Sequence, residues 1–357
     1  MKFSRFLQMG AASLLLFTTS CSDETYEVDV PKGAYENGIL IINEGLVNSP
    51  AAEVAFLSND LALQEDDIYK KNNGEAPGNI LQTIGFSGDH AYLVLNVPNK
   101  IEVVNRYTFK KVKTVTEKLD NPRYIAFTPN NYYVTNNDFF EVRKLNIYRT
   151  DHSFVKSIDF PRYAEKVVEA GGNIVVQTDG STYDSNYNEL PTGHTVTIIN
   201  GRSNDLENTV TFPDTTGIIK DMISFGGYAY VLSSDATHSY IHKVNGATGA
   251  FTTTTLSGIA GAQKLRIDGN KFYFITSSHK VYNMDMGSTV APTQALISVP
   301  NAGYGFGYGF DVIDGKIFIA DSQFAASSKA RIYNAATGAE IKTINTGIGT
   351  NGFYWNK

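Results

Sequence analysis

Residues 226–234 (GGYAYVLSS), 268–277 (DGNKFYFITS) and 314–322 (DGKIFIADS) share one pattern: a glycine-containing turn, a run of aromatic and β-branched residues, and then small polar residues. Runs of this composition that follow turn residues are typical of β-strands. Looser copies of the same pattern stand at 38–44 (GILIINE), 88–96 (GDHAYLVLN), 128–136 (TPNNYYVTN) and 171–178 (GGNIVVQT). The chain therefore carries seven copies of one strand.

The copies recur along the whole chain. The intervals between equivalent residues range from 40 to 55 residues. Those equivalent residues are Leu40, Tyr92, Tyr132, Val175, Tyr230, Tyr273 and Phe318. A propeller blade of four strands takes about 40–45 residues. The two longest intervals, of 52 and 55 residues, therefore indicate blades with insertions.

Three further strands accompany each copy. An apolar strand precedes it, as at 123–127 (RYIAF), and another strand follows it, as at 241–245 (IHKVN). A tight hairpin such as 245–249 (NGATG) then leads to a last strand, because Asn and Gly tolerate the backbone angles of such turns. Each unit is therefore predicted to be a four-stranded antiparallel sheet.

The two ends of the chain complement each other. Residues 351–355 (NGFYW) have the pattern of an innermost strand but no blade follows them, whereas the copy at 38–44 lacks an innermost strand. Pairing the two completes a blade and removes open sheet edges. The predicted fold is all-β: a seven-bladed β-propeller closed by its N- and C-terminal strands in one blade. An open solenoid and a β-sandwich are the alternatives.

The N-terminus has the features of an export signal. Lys2 and Arg5 precede an apolar stretch at 11–17, and small residues lead up to Cys21, the only cysteine. This arrangement resembles a bacterial lipoprotein signal, in which the cysteine becomes the acylated N-terminus; a plain cleaved signal is the alternative. The predicted division is a signal peptide at 1–20, a flexible tether lipidated at Cys21 over 21–36, and the propeller at 37–357.

The charge of the chain argues against some partners. The formal charge is −6, and removal of residues 1–20 with their two basic side chains makes it −8. No long basic run occurs. We therefore expect no nucleic-acid partner, and contact with a membrane through the N-terminal lipid only.

Four segments carry a resemblance to a known family: NGILIINEG (37–45), QTIGFSGDHAYLVLN (82–96), KIEVVNRYTFKKVKTV (100–115) and NPRYIAFTPNNYYVTN (121–136). They resemble the YncE-like propellers and, more narrowly, the surface propeller lipoproteins of Bacteroidetes, of which the BtuG type captures cobalamin. The resemblance implies an outer-membrane lipoprotein that faces the cell exterior. It further implies a corrinoid as ligand, not as cofactor, and a TonB-dependent transporter as the partner that receives it.

A ligand site is expected at the mouth of the central channel. Propeller geometry brings the loops before the innermost strands to one face, where polar residues meet aromatic side chains. The candidate ligand-binding residues are Gln82, Arg123, Tyr124, Lys166, Tyr183, Tyr187, Asp221, Lys264 and Tyr308. Two of these tyrosines belong to a long loop at 178–194, and long ordered loops in compact domains are usually functional. In the plainer interpretation, the polar residues bind water and the loop aromatics pack on the rim.

Sequence motifs for catalysis are sparse. The six histidines form no pair at i, i+4 on a helix, and neither a Gly-x-Ser-x-Gly elbow nor a P-loop occurs. We therefore expect a binding protein without enzymatic activity, metal or cofactor. A surface module for a glycan or another protein is the main alternative to corrinoid capture, and a propeller lyase or quinoprotein-like oxidoreductase is a third hypothesis.

Overall fold

The computed structural model describes residues 31–357, apart from 181, 189, 191 and 192. Within these residues the strands form seven four-stranded antiparallel sheets, which confirms the predicted propeller. No described helix has the length and apolar character that crossing a membrane requires. The predicted signal peptide, Cys21 and the tether residues 21–30 lie outside the described residues.

The strands, in chain order, are β1 (Gly38–Asn43), β2 (Glu53–Ser58), β3 (Gln64–Glu65), β4 (Ile80–Ser87), β5 (His90–Val97), β6 (Asn99–Asn105), β7 (Lys111–Val115), β8 (Pro122–Phe127), β9 (Asn131–Asn137), β10 (Arg143–Arg149), β11 (Phe154–Asp159), β12 (Val167–Ala170), β13 (Asn173–Gln177), β14 (Thr195–Ile199), β15 (Leu206–Thr211), β16 (Ile218–Phe225), β17 (Tyr228–Ser234), β18 (Ser239–Asn245), β19 (Phe251–Leu256), β20 (Ala262–Asp268), β21 (Lys271–Thr276), β22 (Lys280–Asp285), β23 (Ile297–Ser298), β24 (Phe306–Ile313), β25 (Lys316–Asp321), β26 (Ser327–Asn334), β27 (Glu340–Ile348) and β28 (Thr350–Asn356). A short helix, α1 (Ile68–Asn73), follows β3, and a single 3₁₀ turn (Asp214–Thr216) precedes β16.

One strand of each sheet lies next to the propeller axis. These inner strands contact one another in sequence around a ring: β4, β8, β12, β16, β20, β24, β28 and back to β4. Blade 1 has the order β28-β1-β2-β3, and blades 2 to 7 follow in chain order from β4 to β27. In blade 1, Leu40 of β1 lies opposite Tyr354 of β28. The two chain ends therefore close the ring in one blade, as predicted.

The core lies between the blades. Every residue of β1 and of β9 is buried, because both faces of a middle strand are covered by neighbouring blades. Blades 7 and 1, for example, share a cluster in which Phe318 packs against Phe353, with ring centroids 5.4 Å apart. Aromatic and β-branched residues dominate these strands because they fill the space between two pleated surfaces.

Asparagine side chains fix the hairpins between the outer strands. The side-chain oxygen of Asn245 accepts hydrogen bonds from the backbone N–H groups two and three residues later, and three other hairpin asparagines do the same. Those three are Asn105, Asn200 and Asn334. The repeated side chain thus reproduces one turn in four blades.

Two insertions account for the long intervals in the repeat. The first contains α1, which buries Tyr69 against blade 1. The second is the 178–194 loop between β13 and β14. The packed unit begins at Lys32, within the segment that the sequence assigns to the tether. The reason is Tyr35, whose buried ring contacts Phe56 and Phe109.

Candidate functional site at the mouth of the axial channel

A β-bulge stands near the start of six of the seven inner strands, all except β12. A bulge adds an unpaired residue to one strand and redirects its side chain. The residues that the register skips include Gln82, Arg123, Tyr124, Lys220, Gln263, Tyr308 and Asn351. The same irregularity, repeated around the ring, therefore delivers a set of polar and aromatic side chains to one end of the axis.

Five of these side chains line a cavity of about 220 Å³, here called the mouth cavity; Lys220 and Gln263 do not. Six of the predicted site residues line it: Gln82, Arg123, Tyr124, Lys166, Lys264 and Tyr308. A seventh, Asp221, is buried beside it with 1% of its surface exposed. The structure places these residues together; that they bind a ligand stays a prediction.

Arg123 is fixed by its neighbours. Its guanidinium donates three hydrogen bonds of 2.8–3.1 Å to Glu165 and one of 2.7 Å to the side-chain oxygen of Gln82. Glu165 accepts a further hydrogen bond, of 3.1 Å, from Asn137. Burial disfavours the cation, but Glu165 nevertheless raises the pKa of Arg123. This pair is therefore charged and already satisfied within the protein.

A second network runs through Asp221. Its carboxylate lies 3.3 Å from Lys166 Nζ and accepts hydrogen bonds of 2.8 Å from Arg266 and 3.0 Å from the backbone N–H of Leu265. Arg266 also donates a hydrogen bond of 3.1 Å to Asp311. Burial opposes all these charges; even so, the two cations lower the pKa of Asp221, and Asp221 raises the pKa of Lys166. The network contains two cations and two carboxylates.

Glu44 lies at the other side of the mouth cavity. It accepts hydrogen bonds of 2.9 Å from the Tyr308 hydroxyl and 3.1 Å from the Asn351 side chain. Burial raises the pKa of Glu44, and the two hydrogen bonds oppose that effect. Protein side chains thus supply the hydrogen-bond donors that Glu44 needs.

Lys264 differs from the other cations of the mouth. Its Nζ lies 5.7 Å from the centroid of the Tyr308 ring, and it forms no ion pair or hydrogen bond with any described residue. Burial and the nearby Lys166 lower its pKa to about 8, although Asp221 opposes them. Its three donors therefore face the cavity without a protein acceptor.

Two further cavities meet the mouth cavity at Lys264. The larger, of about 660 Å³, is here called the aromatic cavity; it is lined by Lys220, Gln263, Lys264, Tyr304, Phe306, Gly307, Tyr308 and Phe324. The smaller, of about 270 Å³, extends toward Tyr163 and Gln177. Tyr304 is 95% exposed and Phe324 is 43% exposed. The Phe324 ring lies next to both the Tyr304 ring and the Tyr308 ring. A polar mouth therefore adjoins an open aromatic wall.

The predicted tyrosines of the 178–194 loop lie elsewhere. Tyr183 and Tyr187 pack against Phe140, with ring centroids 6.2 and 5.5 Å apart, and Tyr183 lines a separate cavity of about 460 Å³. Neither lines the three cavities around Lys264. Arg162 fastens the loop through hydrogen bonds to Asp179 and to two backbone carbonyls. The structure thus brings seven of the nine predicted residues together and sets these two apart.

Several charged or polar residues of the mouth are not among those predicted from the sequence. They are Glu44, Glu165, Arg266, Asp311 and Asn351. Arg266 follows the predicted mouth lysine by two positions, so strand alternation alone indicates that both side chains share a face. Glu165 directly precedes the predicted Lys166. Glu44 begins the loop after β1, and propeller geometry places that loop on this face.

Among the described residues, no histidine lines the mouth cavity. His242 is buried in blade 5, where it stacks on Phe212 and contacts the hydroxyls of Ser233 and Thr253; burial lowers its pKa to about 4. Among the described residues, no group of three or more His, Cys, Asp or Glu side chains is placed to hold a metal ion.

Fold and site together define a seven-bladed β-propeller with a charged pocket at one end of its axis. The chain belongs to the family described as Domain of unknown function (DUF5074), which matches residues 37–356. Membership in that family and the seven blades fit the YncE-like propeller expected from the sequence. A search of curated proteins found no match.

Solved structures with the same fold are distant in sequence. A protein from Lactobacillus plantarum is 13% identical, with a TM-score of 0.64 over 90% of this chain and 100% of that chain. The dihydro-heme d1 dehydrogenase NirN in complex with DHE is 13% identical, with a TM-score of 0.55 over 90% and 76% of the two chains. Hydrazine synthase from Kuenenia stuttgartiensis is 13% identical, with a TM-score of 0.56 over 77% and 91%. At this identity the likeness shows the fold alone.

Proposed function

We propose that this protein is a non-enzymatic binding protein of the bacterial outer surface, anchored by a lipid on Cys21, that captures a corrinoid over its channel mouth. The captured corrinoid would pass to a TonB-dependent transporter. The observation that carries the proposal is the junction of a polar mouth with an open aromatic cavity, which share Lys264 and Tyr308. A corrinoid is a flat macrocycle with an amide fringe, so it needs both kinds of surface.

The dimensions of the aromatic cavity are those of a small-molecule binding pocket. Ligand pockets are typically clefts of about 300–1,000 Å³ with mainly apolar walls and a few fixed polar groups. The aromatic cavity, of about 660 Å³, lies in that range and shares Lys264 with two further cavities. Tyr304, Tyr308 and Phe324 offer area for the macrocycle, and the carboxylates and cations of the mouth are held in fixed positions by one another. Such preorganised groups orient a ligand at little entropic cost.

Binding requires no covalent step. The carboxylates of Glu165, Asp221 and Glu44 each accept a hydrogen bond from a protein side chain. The site is therefore suited to equilibrium capture and release, which transfer to a transporter demands.

The proposal is tested by calorimetric titration of purified residues 22–357 with cyanocobalamin. Phe324 and Phe225 make a matched pair of variants, because they are 43% and 48% exposed but lie at opposite ends of the axis. We expect Phe324→Ala to weaken binding about tenfold, as loss of an aromatic contact within an interface does, and Phe225→Ala to leave it unchanged. Absence of heat at micromolar cyanocobalamin would reject corrinoid capture.

A glycan is the second candidate, and the exposure of Tyr304 favours it. This ring is 95% exposed and lies 6.4 Å from Phe324, so the two offer a platform on which sugar rings can stack. Binding of oligosaccharides that is lost in Tyr304→Ala, without any response to cyanocobalamin, would favour this candidate.

A further inference from the structure

Donors and acceptors around the mouth are unequally satisfied. The carboxylates of Glu44, Glu165 and Asp311 each accept hydrogen bonds from protein donors. Lys166 and Arg266 are paired with Asp221. Gln177 Oε1, Asp221 Oδ1 and Asn351 Oδ1 accept no hydrogen bond, but these atoms are buried. Lys264 lines all three cavities, and the described residues provide no acceptor for its Nζ.

The surroundings of Lys264 favour an anionic acceptor. The side chains of Lys220 and Gln263 line the same two side cavities as Lys264, and Lys220 is exposed. Both can add donors to a group bound at Lys264. The ammonium is partly buried, and an ion pair in such a place is screened less by water than one at the surface. Tyr308 and the aromatic wall begin directly beside it.

We propose that Lys264 forms an oxyanion subsite, so that the ligand is a planar molecule carrying a phosphate-type or carboxylate group that Lys264 binds while the planar part lies in the aromatic cavity. The inference rests on the proposed function and deepens it, because the nucleotide arm of cobalamin carries a phosphodiester. The same geometry accepts other planar molecules that carry an oxyanion.

The test uses two pairs of ligands that differ in a phosphate. Cyanocobalamin is compared with dicyanocobinamide, which lacks the nucleotide arm, and flavin mononucleotide with riboflavin. Titrations are made on the wild-type chain, on Lys264→Met and on Lys264→Arg, which keeps the charge. Lys271→Met is the control, since Lys271 lies at the opposite end of the axis and is 49% exposed. We expect the phosphate-bearing member of at least one pair to bind about tenfold more tightly to the wild type, as charge-assisted hydrogen bonds are the strong ones.

The same preference should vanish in Lys264→Met and persist in Lys264→Arg and Lys271→Met. A preference that survives in Lys264→Met overturns the inference. Equal binding within both pairs also overturns it; if the two corrinoids bind equally well, corrinoid capture still stands. If neither corrinoid binds but flavin mononucleotide is preferred over riboflavin through Lys264, the subsite stands and corrinoid capture is rejected. Failure of all four ligands rejects both.

Discussion

Arg123 shows that charged residues of the mouth form ion pairs within the protein, which bear on the stability of the fold. It is bonded to Glu165 through three hydrogen bonds, and Phe139 lies over its guanidinium, with the ring centroid 5.1 Å away. A buried ion pair is weak as a source of stability, because desolvation offsets the attraction. Removal of one partner, in contrast, leaves a buried charge uncompensated. Loss of ligand binding in an Arg123 variant would therefore be ambiguous by itself.

We expect Arg123→Met to destabilise the propeller by about 3–5 kcal/mol, the usual cost of breaking a buried pair from one side. The double variant Arg123→Met/Glu165→Met should recover most of that loss, since no unpaired charge remains. Urea unfolding of the wild type, the single variants and the double variant measures the coupling. Additive losses in the double variant would show that the two side chains do not interact.

Lys264 should show the opposite behaviour, because its partly buried charge has no partner. In the unfolded chain it keeps its proton up to its ordinary pKa of 10.5, whereas in the folded chain it releases the proton near pH 8. The charge therefore penalises the folded state below about pH 8, and the penalty is relieved as the pH rises from 8 toward 10.5. The groups that face Lys264 are Lys166, Asp221, Arg266, Glu44 and Tyr308.

We accordingly expect Lys264→Met to raise the melting temperature at pH 7 by a few degrees, at about 2 °C for each kcal/mol in a domain of this size. The gain over the wild type should shrink between pH 8 and pH 10. Differential scanning calorimetry at several pH values measures the difference in melting temperature between the variant and the wild type. Titration of the neighbouring groups affects both proteins and cancels in this difference. A lower melting temperature for the variant at pH 7 would mean that Lys264 is paired in solution.

Within the elements, the bulges explain which parts of the site were predictable. The seven-fold repeat located each inner strand, and six of the residues predicted for the channel mouth line the mouth cavity. A bulge, however, shifts the alternation of side chains by one residue. In β16 the skipped residue is Lys220, which is exposed, while the predicted Asp221 is buried beneath it as a partner for two cations. The alternation of side chains along a strand does not reveal where a bulge shifts it by one residue.

The 178–194 loop was recognisable by its length but not by its position. Its path depends on Arg162, whose side chain bonds to Asp179 and to the carbonyls of Gly180 and Leu190. These are contacts between residues that no repeat relates, so the spacing of the blades carries no information about them. For the same reason, the sequence placed Tyr183 and Tyr187 with the mouth residues, whereas they contact Phe140.

The glycines of β24 and the residues before it let the aromatic wall form. A side chain at Gly305 would collide with the carbonyl of Ser322, which follows the neighbouring strand β25. We expect Gly305→Ala to destabilise the protein by about 1–3 kcal/mol, as overpacking does, and to weaken binding in the aromatic cavity. Gly287→Ala is the control, because the space around its Cβ is open. Thermal unfolding of both variants makes the comparison; equal melting temperatures would contradict the close packing.

At the scale of the whole molecule, the closing blade decides whether seven sheets behave as one unit. Each sheet buries its faces only against its neighbours, so an open ring would expose two blade faces to water. The contact that prevents this joins residues more than 300 positions apart, such as Gly38 of β1 and Asn356 of β28. Loop closure over that length costs little more than over a shorter one, because the entropic cost grows only with the logarithm of the length. The pairing of β1 with β28 can therefore close the ring at a small additional entropic cost.

Phe353 tests this closure, because it lies in β28 with 1% of its surface exposed and packs against blade 7. We expect Phe353→Ala to cost about 3–5 kcal/mol, the range for a buried phenylalanine, and to move the entire urea transition without splitting it. Phe251→Ala, in the outer strand β19 where Phe251 is 37% exposed, should cost far less. A shift confined to an early phase of unfolding would mean that the blades unfold separately. In that case the mouth, which draws residues from inner strands all around the ring, would depend on local packing and not on closure.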